Sequence, residues 1–209
     1  MIHFLSTFLK SNKAPLDALE NIVQSVLETV KNQIDYQFDG DIIFHGNKQR
    51  VIPNYSIGGY CPDPWTITIY IDSEKFDIQD QDCVDLLRYI LTHELMHSLY
   101  YTQHGMPLTL KDEIVFEGIA DYCASQIVGN KQYLWTQALS KDDHAHYWSL
   151  LKNDFDQKDQ YFKWFFGTQD IPMWTGYKIG YQLLQDYTQN NQNLSVSVLA
   201  RLKADVILL

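Results

Sequence analysis

Five residues, His93-Glu94-Leu95-Met96-His97, constrain this chain more than anything else in it. They fall in a stretch with helical character, and residues four apart on a helix share one face. His93 and His97 therefore aim two imidazoles at one point. Zinc takes imidazole nitrogen at about 2 Å in tetrahedral geometry, and a catalytic zinc needs three protein ligands with the fourth position open. Glu94, beside the pair, reaches a water on the metal rather than the metal. A metal that lowers the water's pKa and a carboxylate that takes its proton make a hydrolytic nucleophile near neutral pH.

Two histidines do not complete such a site, so a further ligand has to come from elsewhere in the chain. Phe116-Glu117-Gly118-Ile119-Ala120-Asp121 supplies one in a second helical stretch, with Glu117 twenty residues after His97. A turn through Gly105 and Pro107 separates the stretches and lets the helices pack antiparallel. Gly118 and Ala120 leave room for a close approach. Asp121, one turn beyond Glu117, suits a carboxylate that accepts the free N–H of a ligating histidine and fixes its tautomer. Only six Glu stand against twenty Asp in the chain, and two of the six fall where this pattern needs them. The arrangement H-E-x-x-H then E-x-x-x-D resembles the gluzincins, metallopeptidases that hold zinc with two His and one Glu.

Further blocks sharpen the resemblance. Ile57-Gly58-Gly59-Tyr60 leads into an alternating run. Trp164-Phe165-Phe166-Gly167, Pro172-Met173-Trp174 and Gly176-Tyr177-Lys178-Ile179-Gly180-Tyr181 follow the two helices. In this order the chain resembles the YjaZ-type family of predicted bacterial zinc-dependent proteases, long catalogued as a domain of unknown function, over roughly residues 50 to 205. The resemblance implies a zincin-like fold, one zinc ion per chain and peptide or protein substrates. It carries the metal-ligand role to His93, His97 and Glu117 and the general-base role to Glu94. Water attack on an amide also needs a donor for the oxyanion. Tyr177, which opens the G-Y-x-x-G-Y block, is the first candidate. Tyr181 lies one turn on, and His144 and His146, placed in a polar turn, form the next pair. The alternative for both tyrosines is that they pack a helix closely on its neighbour.

Composition excludes other classes. The net charge is −10, with three arginines, so the basic patch that nucleic acid or an acidic membrane demands is missing. Cys61, Cys83 and Cys123 are odd in number and widely spaced, which speaks against a disulfide framework. The N-terminal apolar stretch lacks a basic flank and is short for a signal peptide, and no run reaches the length of a membrane span. A cytoplasmic location is expected, with unconventional export left open. Few basic residues are available to read a substrate's C-terminal carboxylate, which favours an endopeptidase.

Periodicity predicts the elements around the motif. Pro15 to Ile34 is an amphipathic helix with Leu16, Leu19, Val23, Val26 and Val30 on one stripe. Asp41 to His45 is a short strand, and Pro53 to Pro64 is irregular. Trp65 to Asp72 alternates as a half-buried strand with Trp65, Ile67, Ile69 and Ile71 inward, a candidate to pair with extended substrate. A helix capped by Asp77 or Asp80 runs to Thr102, and Thr109 to Val128 is the Glu117 helix. Gln132 to Leu139, His144 to Lys152, Met173 to Gln189 and Leu194 to Leu209 are helical, with a loop over Asp154 to Gln160. The fold class expected is α+β and zincin-like: a small N-terminal sheet on the H-E-x-x-H helix, then a mostly helical C-terminal half. All 209 residues form a single metallopeptidase domain, with an N-terminal part (1–48), a strand and metal-helix part (49–130) and a helical part (131–209). Two other classes stay open: a zinc-binding interaction module without catalysis, and a zinc amidohydrolase acting on a non-protein amide.

Overall fold

The computed structural model describes residues 1–11, 14–192 and 194–208. Among the described residues, strands occur only in the first 71 positions and helices dominate after them, an α+β arrangement. The chain divides into two compact units, residues 1–102 and 103–209.

The first unit is built on a four-stranded sheet in the order β1-β2-β4-β3. Its strands are β1 (Ile2–Phe4), β2 (Asp41–Gly46), β3 (Ile57–Asp63) and β4 (Thr66–Ile71). β2 runs parallel to β1 and β4, while β3 runs antiparallel to β4. A short helix α1 (Ser6–Ser11) and the longer α2 (Leu16–Ile34) precede β2. On α2 the stripe Leu19, Val23, Val26, Val30 and Ile34 is buried, the face the sequence period points to, while Leu16 at its start stays half-buried. Ile42 and Phe44 of β2 and Ile67, Ile69 and Ile71 of β4 are almost fully buried, so each strand hides one face.

Three features depart from the sequence reading. Trp65 is 63 % exposed, because the chain is still turning there and its amide donates to Asp63 Oδ1. The segment read as irregular holds β3. It was hidden by Gly58-Gly59 and by Pro62, which an edge strand tolerates because its N–H is not needed by a neighbour. β4 lies between β2 and β3 and is hydrogen-bonded on both sides. It cannot take up an extended substrate as a further strand; the edge next to it is β3.

Helix α3 (Gln81–His104) carries the pentad. Asp80 Oδ1 accepts from the Asp82 amide in its first turn, as the capping pattern predicts. Every residue from Tyr89 to Tyr100 is buried, the mark of a helix that runs through a core rather than over a surface. Within the first unit β3 packs against it. A Cβ added at Gly59 would run into Glu94 Oε1 and come within 2.7 Å of Ile90 Cγ2. The Ser98 hydroxyl donates to the Pro64 carbonyl and lies 2.7 Å from Tyr36 Oη. Gly105 follows in the left-handed region, φ 77°, where the helix was predicted to stop.

The second unit is helical: α4 (Leu110–Ile127), α5 (Lys141–Leu151) and α6 (Thr175–Asn190), then two single turns, α7 (Val196–Leu199) and α8 (Ala204–Ile207). Asp112 accepts from the amide and hydroxyl of Thr109 and starts α4. Between Gln132 and Leu139 only one 3₁₀ turn forms, Leu134–Gln137. The helix predicted over Leu194 to Leu209 is broken in two (Leu209 itself lies outside the described residues). The Arg201 carbonyl, which a continuous helix would use, is instead 3.0 Å from the His104 ring nitrogen. α4 and α6 touch backbone to backbone. A Cβ on Gly118 would come within 2.9 Å of Gly180 Cα, and one on Gly180 within 3.0 Å of Gly118 Cα. The space that Gly118 provides is therefore used by α6. Trp164, Phe165, Ile179, Ile114 and Leu151 fill the core beside this crossing.

Candidate metal centre

On α3, His93 and His97 stand one turn apart with ring centroids 4.5 Å apart and planes at 85°. Both are buried, 7 % and 6 % exposed, and Glu94 between them is 5 % exposed. Ionisable side chains this deep need polar partners or a cation to offset lost hydration. Cys61, also buried in this unit, is inert as a nucleophile. Burial first, then the charges of Glu94 and Asp63, push its thiol far above the ordinary range. The other two cysteines are free as well, Cys123 buried and Cys83 half-buried.

On α4, Glu117 is 4 % exposed and Asp121 fully buried. Each is held by an aromatic side chain from a later segment. Tyr161 Oη donates to Glu117 Oε1 at 2.7 Å, and Trp135 Nε1 donates to Asp121 Oδ1 at 2.9 Å. Tyr161 Oη is in turn 3.1 Å from Tyr177 Oη. A hydroxyl carries one proton. Since that of Tyr161 goes to Glu117, Tyr177 is the donor in the second bond. Burial, followed by the Glu117 charge, raises the Tyr161 hydroxyl well above its ordinary pKa, so the donor stays protonated. Tyr181, the other tyrosine of the block, is buried with its hydroxyl 3.1 Å from that of Ser125, and it accepts from Gln132 at 3.1 Å. The Ser125 contact joins α6 to α4. His144 and His146 lie on helix α5, in line with the helix expected over His144 to Lys152 and not with a polar turn, and side chains two apart on a helix do not face one site.

The ligand atoms of His93, His97 and Glu117 all lie within 4.8 Å of one another, and all three residues are buried. Two imidazoles and one carboxylate are a zinc donor set with a place left for a fourth ligand. The residues present fit the metal that the sequence pattern calls for.

A family model described as Predicted Zn-dependent protease (DUF2268) matches residues 19–209. The chain belongs to this family. Comparison with the curated proteins and with the solved structures found no significant match. The match begins within α2 and takes in both units, which agrees with the YjaZ-type resemblance of the motifs. Among the described residues no helix is long and apolar enough to cross a membrane.

In this DUF2268 member the aromatic and glycine blocks acquire a structural meaning. Trp164, Phe165 and Phe166 lie in a π turn, Phe162–Phe166, and Gly167 follows at φ 83°. Gly176-Tyr177 and Gly180-Tyr181 open α6, Gly176 against the Phe165 ring and Gly180 against Gly118. Sequence reasoning missed Tyr161, Trp135 and Gly59. For Tyr161 a signal existed: five of the six residues from 161 to 166 are aromatic. Trp135 carried none, because its partner is fourteen residues away.

Proposed function

We propose that this protein is a zinc metallopeptidase of the gluzincin type that cleaves peptide bonds within protein or peptide chains. The observation that carries the reading is the buried group His93, His97 and Glu117, with ligand atoms within 4.8 Å of one another, on a chain of a family described as zinc-dependent proteases. In this reading the three residues hold one zinc per chain, and both units serve one zincin-like catalytic domain. A zinc bound there supplies Lewis acidity, lowering the pKa of water toward neutrality and polarising the scissile carbonyl.

The chain's own residues do the rest. Glu94 takes a proton from the attacking water and returns it to the leaving amine. The Gly59 backbone against it holds the carboxylate in place. Asp121, anchored by Trp135, orients a ligating histidine. Tyr177 supplies a donor to the developing oxyanion. Its hydroxyl lies two hydrogen bonds from Glu117, and turning away from Tyr161 frees its proton. Substrate lies extended along the outer edge of β3 near the exposed Tyr60, past the point where the Ile52 amide donates to the Ile57 carbonyl.

Elemental analysis of wild type and Glu117→Ala, purified without added metal, tests this. We expect about one zinc per wild-type chain, lost from the folded variant, and no peptide hydrolysis from Glu94→Gln that keeps its zinc. A folded wild type that holds no zinc even after zinc is added back overturns the reading.

A further inference from the structure

We propose that Tyr161 is a positioning residue for the metal ligand Glu117. Its hydroxyl holds one carboxylate oxygen so that the ligand presents the other to the metal. The proposal rests on the zinc reading above and goes beyond the residues that the sequence pattern selects.

Four observations support it. First, the bond is direct and short, 2.7 Å from Tyr161 Oη to Glu117 Oε1, and hydrogen bonds to an ionised carboxylate are roughly twice as strong as neutral ones. Second, its polarity is fixed. With the Tyr161 proton on Glu117, the Tyr177 hydroxyl donates from behind at 3.1 Å, and donors in series polarise one another. Third, the ring is clamped. Tyr161 stacks on Phe165 at 4.3 Å and 18°, and Phe165 meets Tyr177 edge-on at 4.8 Å and 81°. Phe165 is fully buried, and its ring abuts Gly176, where an added Cβ would come within 2.8 Å of it. Fourth, Glu117 is itself buried, so its rotamer is set by protein groups and not by solvent. A ligand carboxylate in that setting keeps its orientation only as well as the group bonded to it keeps its own. The five-aromatic run is thereby explained: it is the frame that aims a hydroxyl at α4.

A purely structural role, in which Tyr161 merely covers Glu117, predicts something different. The phenylalanine ring would do the same, and metal affinity would not change. The test uses the whole chain, stripped of metal and titrated with zinc against a chromogenic chelator. Wild type, Tyr161→Phe and Tyr177→Phe are compared, with circular dichroism for the fold and the visible spectrum of the cobalt(II)-loaded proteins for ligand geometry.

We expect Tyr161→Phe to weaken zinc binding between about tenfold and a hundredfold and to alter the cobalt bands. Tyr177→Phe, which removes only the polarising donor, weakens it about threefold. A folded Tyr161→Phe with wild-type zinc affinity and an unchanged cobalt spectrum overturns the proposal while leaving the metal site intact. Should Tyr161→Phe not fold, Tyr177→Phe decides: unchanged affinity and spectrum overturn it. If the wild type takes up neither metal, the zinc reading fails and this proposal falls with it.

Discussion

The α3 segment around the pentad and the segment from Tyr161 to Tyr181 make an instructive pair. In the first, chemistry is written locally: both histidines and the glutamate lie within one turn of a helix. In the second, nothing in the spacing names a ligand. Its tyrosines, phenylalanines and glycines act on α4 from a distance, Tyr161 on Glu117 across 44 residues and Gly180 on Gly118 across 62. A site of this kind has its reactive groups in a short motif and its precision in remote packing.

The two glycines that touch these segments sharpen the contrast. Gly59 faces side chains, Glu94 Oε1 and Cγ and Ile90 Cγ2, whereas Gly118 faces backbone, Gly180 Cα. Buried side chains yield at some cost, and a helix backbone yields less readily still. Gly59→Ala is therefore expected to cost less stability than Gly118→Ala and to displace Glu94, the proposed general base. A misplacement of about 1 Å costs on the order of a hundredfold in rate, equivalent to about 2.7 kcal/mol of transition-state stabilisation. Peptidase assays beside a thermal melt check this. A Gly59→Ala protein with full activity would show that β3 does not fix Glu94.

Gly118→Ala should do the reverse. The added methyl forces α4 and α6 apart and costs about 2 kcal/mol, the ordinary scale of overpacking. Urea unfolding of the metal-free protein measures it. If Gly118→Ala is as stable as wild type, the crossing is looser than its geometry implies, and the second segment is not what holds α4.

The same contrast explains what the sequence reveals. The amphipathic stripe of α2, the pentad, Glu117, the Gly105 stop and the inward face of β4 rest on local periodicity or local turn chemistry, and they are legible. β3 is not, because Gly58-Gly59 and Pro62 look like a turn until a neighbouring strand and the Glu94 side chain explain them. That β4 is interior depends on pairing with β2, which no local pattern states. Trp135 on Asp121 is invisible for the same reason. The break near Arg201 depends on His104, almost a hundred residues earlier. Local signals found the candidate ligands, and tertiary contacts determined which residues surround them.

Glu113 offers the smallest and most discriminating effect. It lies one turn before Glu117 on α4, half-buried. Burial, then the charges of Glu117, Asp159 and Asp112, push its carboxyl up from 4.5 to about 7. A carboxyl whose folded pKa exceeds its unfolded value favours the fold while protonated. That contribution is complete below about pH 4.5 and is lost as pH rises through about 7. Glu113→Gln, neutral throughout, should match wild type at pH 5 and melt about 2 °C higher at pH 8 in metal-free protein. Loading zinc sets a positive charge beside Glu117 and reduces the repulsion, which is the second cause of the shift, while burial, the first, remains. The difference at pH 8 should then shrink without vanishing. An equal melting difference at both pH values would mean that Glu113 is ionised at pH 5. A difference at pH 8 unaffected by zinc would mean that the metal does not sit on Glu117, so this neighbouring carboxyl reports on the proposed ligand itself.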